Sequence, residues 1–349
     1  MMNNTLCALE RARLSLEGLS VGDAFGECFF FSPDLVFKLI RANVIPGPPY
    51  DPERIEEYMM DQCQALREVP AQAPWKWTDD TAMALSLVQV LEAHGEADEE
   101  ALAGAFGRRY LLEPARGYGS AMHDLLPDLA RGGDWRSLAS ALFQGRGSFG
   151  NGAAMRVAPV GAFFGDDLAR CAREARRSAR VTHAHEQGVA GAVAVAVAAG
   201  AAWQLREQIA QEPTLAASTQ ADSQAAQDAR QVFAAEFFEL ILPHVPPGAV
   251  RDGIECGRDM PLWGEIAVDE VTDMLGNGGE VTAQDTVPFV LWSASQRLDS
   301  YEDALWITVS GLGDRDTTCA MVGGIVSLSS RSAIPDAWLS SREPLPSLP

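Results

Sequence analysis

Helical periodicity recurs along this chain from end to end, while alternating runs of β-branched residues bounded by turn signals are hard to find. The stretch TAMALSLVQVLEAH, residues 81–94, is the clearest case. Met83, Leu87 and Val90 or Leu91 share one stripe, Ala84, Leu85 and Val88 lie beside it, and Gly95 supplies a C-terminal stop. A helix apolar nearly all round belongs in a core. The most apolar stretch, residues 189–203, is made of Ala, Gly and Val and falls short of the roughly 20 residues that cross a bilayer, so it reads as a closely packed core helix. The same periodicity predicts helices at 10–25, 53–67, 99–110, 135–143, 168–181, 187–208, 228–242, 268–274, 286–295, 301–311 and 317–329. The expected class is all-α, a large helical bundle.

Two interruptions punctuate the pattern: the proline-rich PGPPYDP at 46–52, and QEPTLAASTQADSQAAQ at 211–227, polar, small and low in complexity. Glycine-rich and acidic motifs on both sides of the second need each other. It is therefore expected as a flexible insertion in one domain spanning 10–330, followed by an irregular tail over 331–349.

Composition narrows the partners more than the fold. The 349 residues include 47% hydrophobic and 21% charged, as in folded globular proteins, and a net charge of −21 has the wrong sign for phosphate backbones or anionic membranes. Neither nucleic acid nor membrane is expected. Cys7, Cys28, Cys63, Cys171, Cys256 and Cys319 are dispersed without C-x-x-C, and no secretory signal is visible at the start, so a cytoplasmic address is expected.

Three clusters could carry chemistry. Trp77-Thr78-Asp79-Asp80-Thr81 opens the buried helix, and alone its hydroxyl and carboxylates would be helix capping. Gly313-Asp314-Arg315-Asp316-Thr317-Thr318 repeats the arrangement before another apolar helix. If both termini face one cleft, Asp79, Asp80, Asp314 and Asp316 repel one another unless cations neutralise them, and Thr78 and Thr317 add hydroxyls. Oxygen-only donors select hard ions, Mg²⁺, Mn²⁺ or Ca²⁺, and six such groups suit an octahedral pair that polarises a water. Second, the first six residues of the run from Gly145 to Gly152 spell G-x-G-x-x-G, but a helical segment precedes it where a Rossmann unit needs a strand. Its glycines still allow close approach to a diphosphate, or simply a tight turn. Third, Thr182-His183-Ala184-His185 enters the Ala-rich helix; zinc spacing is lacking, which leaves a ligand-binding or a structural His183. Gly276-Asn277-Gly278 forms a further glycine loop, and Asp23 and Glu27 lie in an otherwise apolar segment, where a carboxylate finds a partner or a raised pKa.

In this order, Gly22-Asp23-Ala24-Phe25-Gly26, residues 77–81, 148–156, Thr182-His183, Gly276–Gly278 and residues 313–318 resemble the ADP-ribosylglycohydrolase family. The resemblance covers roughly 14–328 and implies a compact, orthogonal all-α bundle with a binuclear Mg²⁺ site, Mn²⁺ being a substitute. It assigns metal binding to Thr78, Asp79, Asp80, Asp314, Asp316 and Thr317. Ser148, Phe149, Gly150, Asn151 and Gly152 would hold the diphosphate and adjoining ribose with His183 close by, Asp79 would also touch substrate, and Gly276 and Gly278 would lie near the adenosine end. Asp80, Asp314 and Glu27 are the implied catalytic acids. The sequence departs from the family pattern at Glu27, since Phe30 stands where relatives carry an acid, at Phe149, where some have Tyr, and at Arg315, where Thr is common. The implied activity is hydrolysis of ADP-ribose from modified protein side chains, arginine first among acceptors, with an ADP-ribosylated protein or ADP-ribose derivative as substrate. A non-catalytic ADP-ribose-binding protein and a metal-dependent phosphohydrolase are the competing readings.

Overall fold

The computed structural model describes residues 6–30, 52–215 and 223–346, so residues 46–51 of the proline-rich stretch and the middle of 211–227 lie outside the described residues. Among them, helices α1 (Ala8–Glu27), α2 (Pro52–Leu66), α3 (Asp79–His94), α4 (Glu99–Leu112), α5 (Met122–Ala130), α6 (Trp135–Gly145), α7 (Ala158–Phe163) and α8 (Leu168–Arg180) precede a central α9 (Glu186–Gln211). They are followed by α10 (Gln224–Ile241), α11 (Ala249–Arg258), α12 (Val268–Leu275), α13 (Ala283–Gln296), α14 (Tyr301–Ser310), α15 (Arg315–Val326) and α16 (Asp336–Ser341). Extended pairing among the described residues is limited to isolated bridges, and the protein is all-α.

The small-residue composition of α9 determines what surrounds it. It is long and apolar enough to cross a membrane, yet from Gly188 to Trp203 every residue is buried inside the bundle. With Ala and Gly for walls, neighbouring helices approach to backbone distance: a Cβ added to Gly161 of α7 would sit 1.8 Å from the Ala196 carbonyl oxygen. A second close approach builds the site. Gly18, Gly22 and Gly26, four residues apart and so on one face of α1, lie against α15, and added Cβ atoms would come within 2.4 Å of Gly323 O, 2.1 Å of Cys319 O and 2.2 Å of Arg315 O respectively. Main chain on main chain brings Asp23, next to Gly22, level with the start of α15.

Helices α5, α7 and α11 were not expected from the periodicity. The first carries Pro127 inside it, the second is six residues long with Pro159 in its first turn, and the third holds Gly253 and Gly257; α5 and α11 do bury short stripes, Met122, Leu125, Leu126 and Leu129 in one and Val250, Ile254 and Gly257 in the other, but the proline and glycines interrupt them. The tail also folds onto the body. Trp338 of α16 stacks on Phe25 at 4.4 Å between ring centroids, and the Glu343 amide donates to the Trp75 carbonyl at 2.8 Å.

Candidate active site

The first turn of α3 and the start of α15 meet Asp23 of α1. Thr78 caps α3, its hydroxyl accepting from the Asp80 amide at 3.4 Å and donating to Asp80 Oδ2 at 2.9 Å. Asp23 accepts from the Thr78 amide at 3.0 Å, and its Oδ2 from the Thr81 amide and hydroxyl at 3.1 and 2.5 Å. Asp23, Asp80 and Asp316 each offer an oxygen within 4.8 Å of the other two, an arrangement that could hold a metal ion. The metal set implied by the sequence left Asp23 out. Part of the signal was present, because glycines at the i, i+4 positions 22 and 26 mark the face of α1 that packs on α15, and Asp23 is next to the first of them.

Burial pushes every carboxyl in this cluster up, and the neighbouring acids add to it. Asp79 and Asp80 lie well above the usual carboxylate range, with Asp316 and Asp23 respectively the leading neighbours; Asp314 is pushed to about 8 by burial and then Asp316. Asp23 is pushed to about 7 by burial and the Asp316 charge, and burial raises Asp316 itself. The cost of these charges requires a cation or protons. Asp80 Oδ1 and Asp316 Oδ1 are buried without a hydrogen-bond partner, which is the condition of an oxygen aimed at an ion rather than at a donor. An all-oxygen donor set of this kind fits a hard divalent cation.

A cavity of about 580 Å³ opens over the cluster, within the range of small-molecule sites. Asp79, Asp314, Asp316 and Thr317 line its acidic end, whereas Asp80 and Thr78, both buried, do not line it. Ser148, Phe149, Gly150, Asn151, Gly152 and His183 line it as well, so the glycine loop and the acids face one space. They are also bonded together: the Asn151 amide nitrogen donates to Asp314 Oδ2 at 2.7 Å and to Thr286 Oγ1 at 3.2 Å. The loop is not a Rossmann turn. It pairs with the chain before α13, Asn151 N donating to Val281 O at 3.3 Å and Ala283 N to Phe149 O at 2.9 Å.

Other lining residues escaped the sequence reading. Gly117, at φ 91°, leaves room over Asp79, and Gly119, Ser120 and Met122 continue that wall. Near the end of α6 the chain leaves helical geometry, with Phe143 at φ 50° and Gln144 at φ 64°. This turns Phe143 into the cavity, half exposed, with its ring 6.5 Å from that of Phe149. Phe143 closes the helix expected at 135–143, and nothing in the sequence marks that the chain turns left-handed there.

Gly276 and Gly278 do not line the cavity; that role falls to Glu280, Val281 and Thr282. The two glycines brace the loop instead. A Cβ on Gly276 would lie 2.2 Å from the Asp285 carbonyl oxygen and one on Gly278 2.6 Å from Asp314 Cβ, while Asn277 O accepts from the Asp314 amide at 3.1 Å. Glu27, the last residue of α1, also lies outside the lining. Protein packed on one side and the Asp316 charge push its carboxyl up to about 7. Arg315 is an ion-pair partner rather than a ligand contact: buried, it donates to the Phe29 carbonyl and to Glu56 Oε2, the latter at 2.6 Å, and lies 4.9 Å over the Phe30 ring. It ties the start of α15 to the end of α1 and to α2.

The ADP-ribosylglycohydrolase family model matches residues 4–347. The chain belongs to that family. It is 30% identical to human ADP-ribosylhydrolase ARH3 over 96% of this chain and 90% of that protein, and 29% identical to the chicken ADP-ribosylhydrolase ARH3 over 95% and 89%. An uncharacterised protein of Archaeoglobus fulgidus is 29% identical over 76% and 74%. A solved structure described as an ADP-ribosylglycohydrolase-related protein complex superposes with a TM-score of 0.55 at 20% identity, covering 96% of this chain and 93% of that one, and shows the shared fold. Membership makes this chain a glycohydrolase.

Proposed function

We propose that the protein is a Mg²⁺-dependent ADP-ribosyl hydrolase that releases ADP-ribose from modified protein side chains, with arginine as acceptor. The observation that carries this reading is the Asn151 to Asp314 hydrogen bond of 2.7 Å, which joins the glycine loop directly to the buried acid cluster in one cavity. A ligand with a phosphate-rich middle and a hydroxyl-bearing sugar at its reacting end is complementary to both. Phe143 and Phe149 line the same cavity with their rings 6.5 Å apart and supply aromatic surface suited to a flat base, and Phe149 retains stacking area without the phenolic hydroxyl of Tyr.

Two Mg²⁺ ions, or Mn²⁺ in their place, would be held by Asp79, Asp80, Asp314, Asp316, Thr78 and Thr317, with Asp23 added to that set, and when bound they would polarise ribose hydroxyls and a water. Bond cleavage at the anomeric carbon develops oxocarbenium-like charge on the ribose, which the acidic floor favours. Asp314 lines the cavity and Asp80 does not, so Asp314 is the group we assign to take the proton of the attacking water. The glycine loop and Asn151 fix the rest of the ligand, converting its binding into orientation of the reacting carbon. Glu27, at the end of α1 with its carboxyl pushed up by burial and the Asp316 charge, is retained as the acid/base or gate at the edge of the site. We place this activity in the cytoplasm, where the six free thiols stay reduced.

Release of intact ADP-ribose from an arginine-ADP-ribosylated protein, followed by mass with Mg²⁺ and then with chelator, tests the reading. Chelator-sensitive release is expected. Cleavage of serine-linked or O-acetyl-ADP-ribose alone would replace the arginine assignment. Release of AMP or phosphate would make the protein a phosphohydrolase, and tight ADP-ribose binding without release from any linkage a binding protein.

A further inference from the structure

Arg156 follows the glycine loop and is wholly buried, an expensive position for a guanidinium that makes no ion pair with a carboxylate. Its contacts are neutral: NH1 donates to the Gly152 carbonyl at 3.2 Å, and NH2 to the Ser178 carbonyl at 3.2 Å and to Thr182 Oγ1 at 2.8 Å. Its face lies 4.4 Å from the centroid of the Phe106 ring. Thr182 Oγ1 is in turn 2.8 Å from His183 Nδ1. His183 shows its other nitrogen to the glycine loop, since Cβ atoms built on Gly150 and Gly152 would fall 3.5 and 3.4 Å from Nε2, and the ring lines the cavity.

The hydrogen count along this chain has one solution. A guanidinium only donates, so Arg156 occupies a lone pair of Thr182 Oγ1. The Thr182 side chain is fully buried, and its own O–H proton meets no other acceptor than His183 Nδ1. If Nδ1 carried the ring proton, two N–H groups would converge on one hydroxyl and the hydroxyl proton would be stranded. Nδ1 therefore accepts.

We propose that Arg156 and Thr182 are positioning residues that lock His183 as the Nε2–H tautomer, so that the cavity meets the diphosphate-ribose part of its ligand with an uncharged donor aimed across the glycine loop. This rests on the ADP-ribose reading of the site for the identity of the ligand, but not for the tautomer. Burial and the Arg156 charge hold the His183 ring down to about 3, which keeps the donor neutral in the range where enzymes work. The arrangement supplies a directed hydrogen bond where a cationic imidazolium beside a buried arginine would be repelled.

The test uses full-length protein labelled with ¹⁵N-histidine, whose His183 signals are assigned by comparison with His183→Gln. In the unliganded wild type at pH 7, Nε2 is expected to resonate as a protonated and Nδ1 as a bare ring nitrogen. Thr182→Val should mix the tautomers and weaken ADP-ribose binding, read calorimetrically, by about tenfold. Thr182→Ser should restore both. A wild-type spectrum with the proton on Nδ1 overturns the proposal without any variant having to fold. So does a Thr182→Val protein that keeps the pure tautomer, or a Thr182→Ser protein that behaves like Thr182→Val, which would make the methyl group the important part. If wild type binds no ADP-ribose while its tautomer is as expected, the ligand assignment fails and the lock stands.

Discussion

At the scale of single residues, the informative atoms are the ones without partners. Asp23 is supplied with donors from the start of α3, whereas Asp80 Oδ1 and Asp316 Oδ1 are buried beside it with none. Asp316 is also the charge that recurs among the causes that raise Asp23, Glu27, Asp79, Asp80 and Asp314. One group thus acts as a proposed ligand and as the main source of repulsion. Asp316→Asn keeps the shape and removes the charge, so it should act in opposite directions on function and stability. Turnover of the preferred substrate should fall at least about 100-fold, the upper end of what even indirect metal-site changes cost. Chelated protein at pH 8 should gain on the order of 1 kcal/mol against urea, the worth of about one pKa unit of relieved repulsion. Unchanged turnover in a folded variant would remove Asp316 from the metal site.

At the scale of elements, the site is held from behind by the segment after Ser330. Glu343 forms a two-pronged pair with Arg116, NH1 to Oε2 at 2.7 Å and NH2 to Oε1 at 3.0 Å. Arg116 lies 3.4 Å over the Trp77 ring, donates to the Trp77 carbonyl at 3.0 Å, and through its own carbonyl accepts from the Asp79 amide at 2.7 Å. The segment around Glu343 thereby fixes the backbone of the first acidic motif. Glu343→Ala should weaken Mn²⁺ binding, measured by electron paramagnetic resonance, about 10- to 100-fold, as loss of outer-shell support does elsewhere, with the helical content retained. Unaltered Mn²⁺ affinity would reduce the tail to a surface cover. None of this was legible in the proline-spaced tail, because Glu343 acquires its role only from a contact with residue 116. The acid motifs were legible for the opposite reason: each carries its own helix start, and a doubled T-D-D-T and D-R-D-T pattern exceeds what capping needs. Asp23 and Phe143 fall between these cases. One depended on the register of two helices packed glycine to backbone, the other on a left-handed turn at the end of an apparently regular helix.

At the scale of the whole molecule, two sources of negative charge respond differently to solution conditions. The net charge of −21 is spread largely over the surface, and salt screens it beyond about 8 Å at physiological ionic strength; the site cluster is buried and is screened much less. The cluster therefore controls how stability varies with pH once salt is raised. Its carboxyls have folded-state pKa values above their unfolded ones, reaching about 8 for Asp314 against an ordinary 3.8. Between those values the metal-free folded protein holds more protons than the unfolded chain, so its stability is fullest near pH 4 or below, as far as these groups are concerned, and declines as pH rises toward 8. At the proposed site Mg²⁺ would bind the deprotonated carboxylates and reverse the trend, because protons compete with it in acid. The stabilisation conferred by Mg²⁺ should therefore be small at pH 5 and large at pH 8. Urea unfolding midpoints at both pH values, with chelator and with millimolar Mg²⁺, in a buffer of high salt, check this. A chelated protein more stable at pH 8 than at pH 5, or a Mg²⁺ increment equal at both, would mean that these acids are neutralised by something other than a divalent ion.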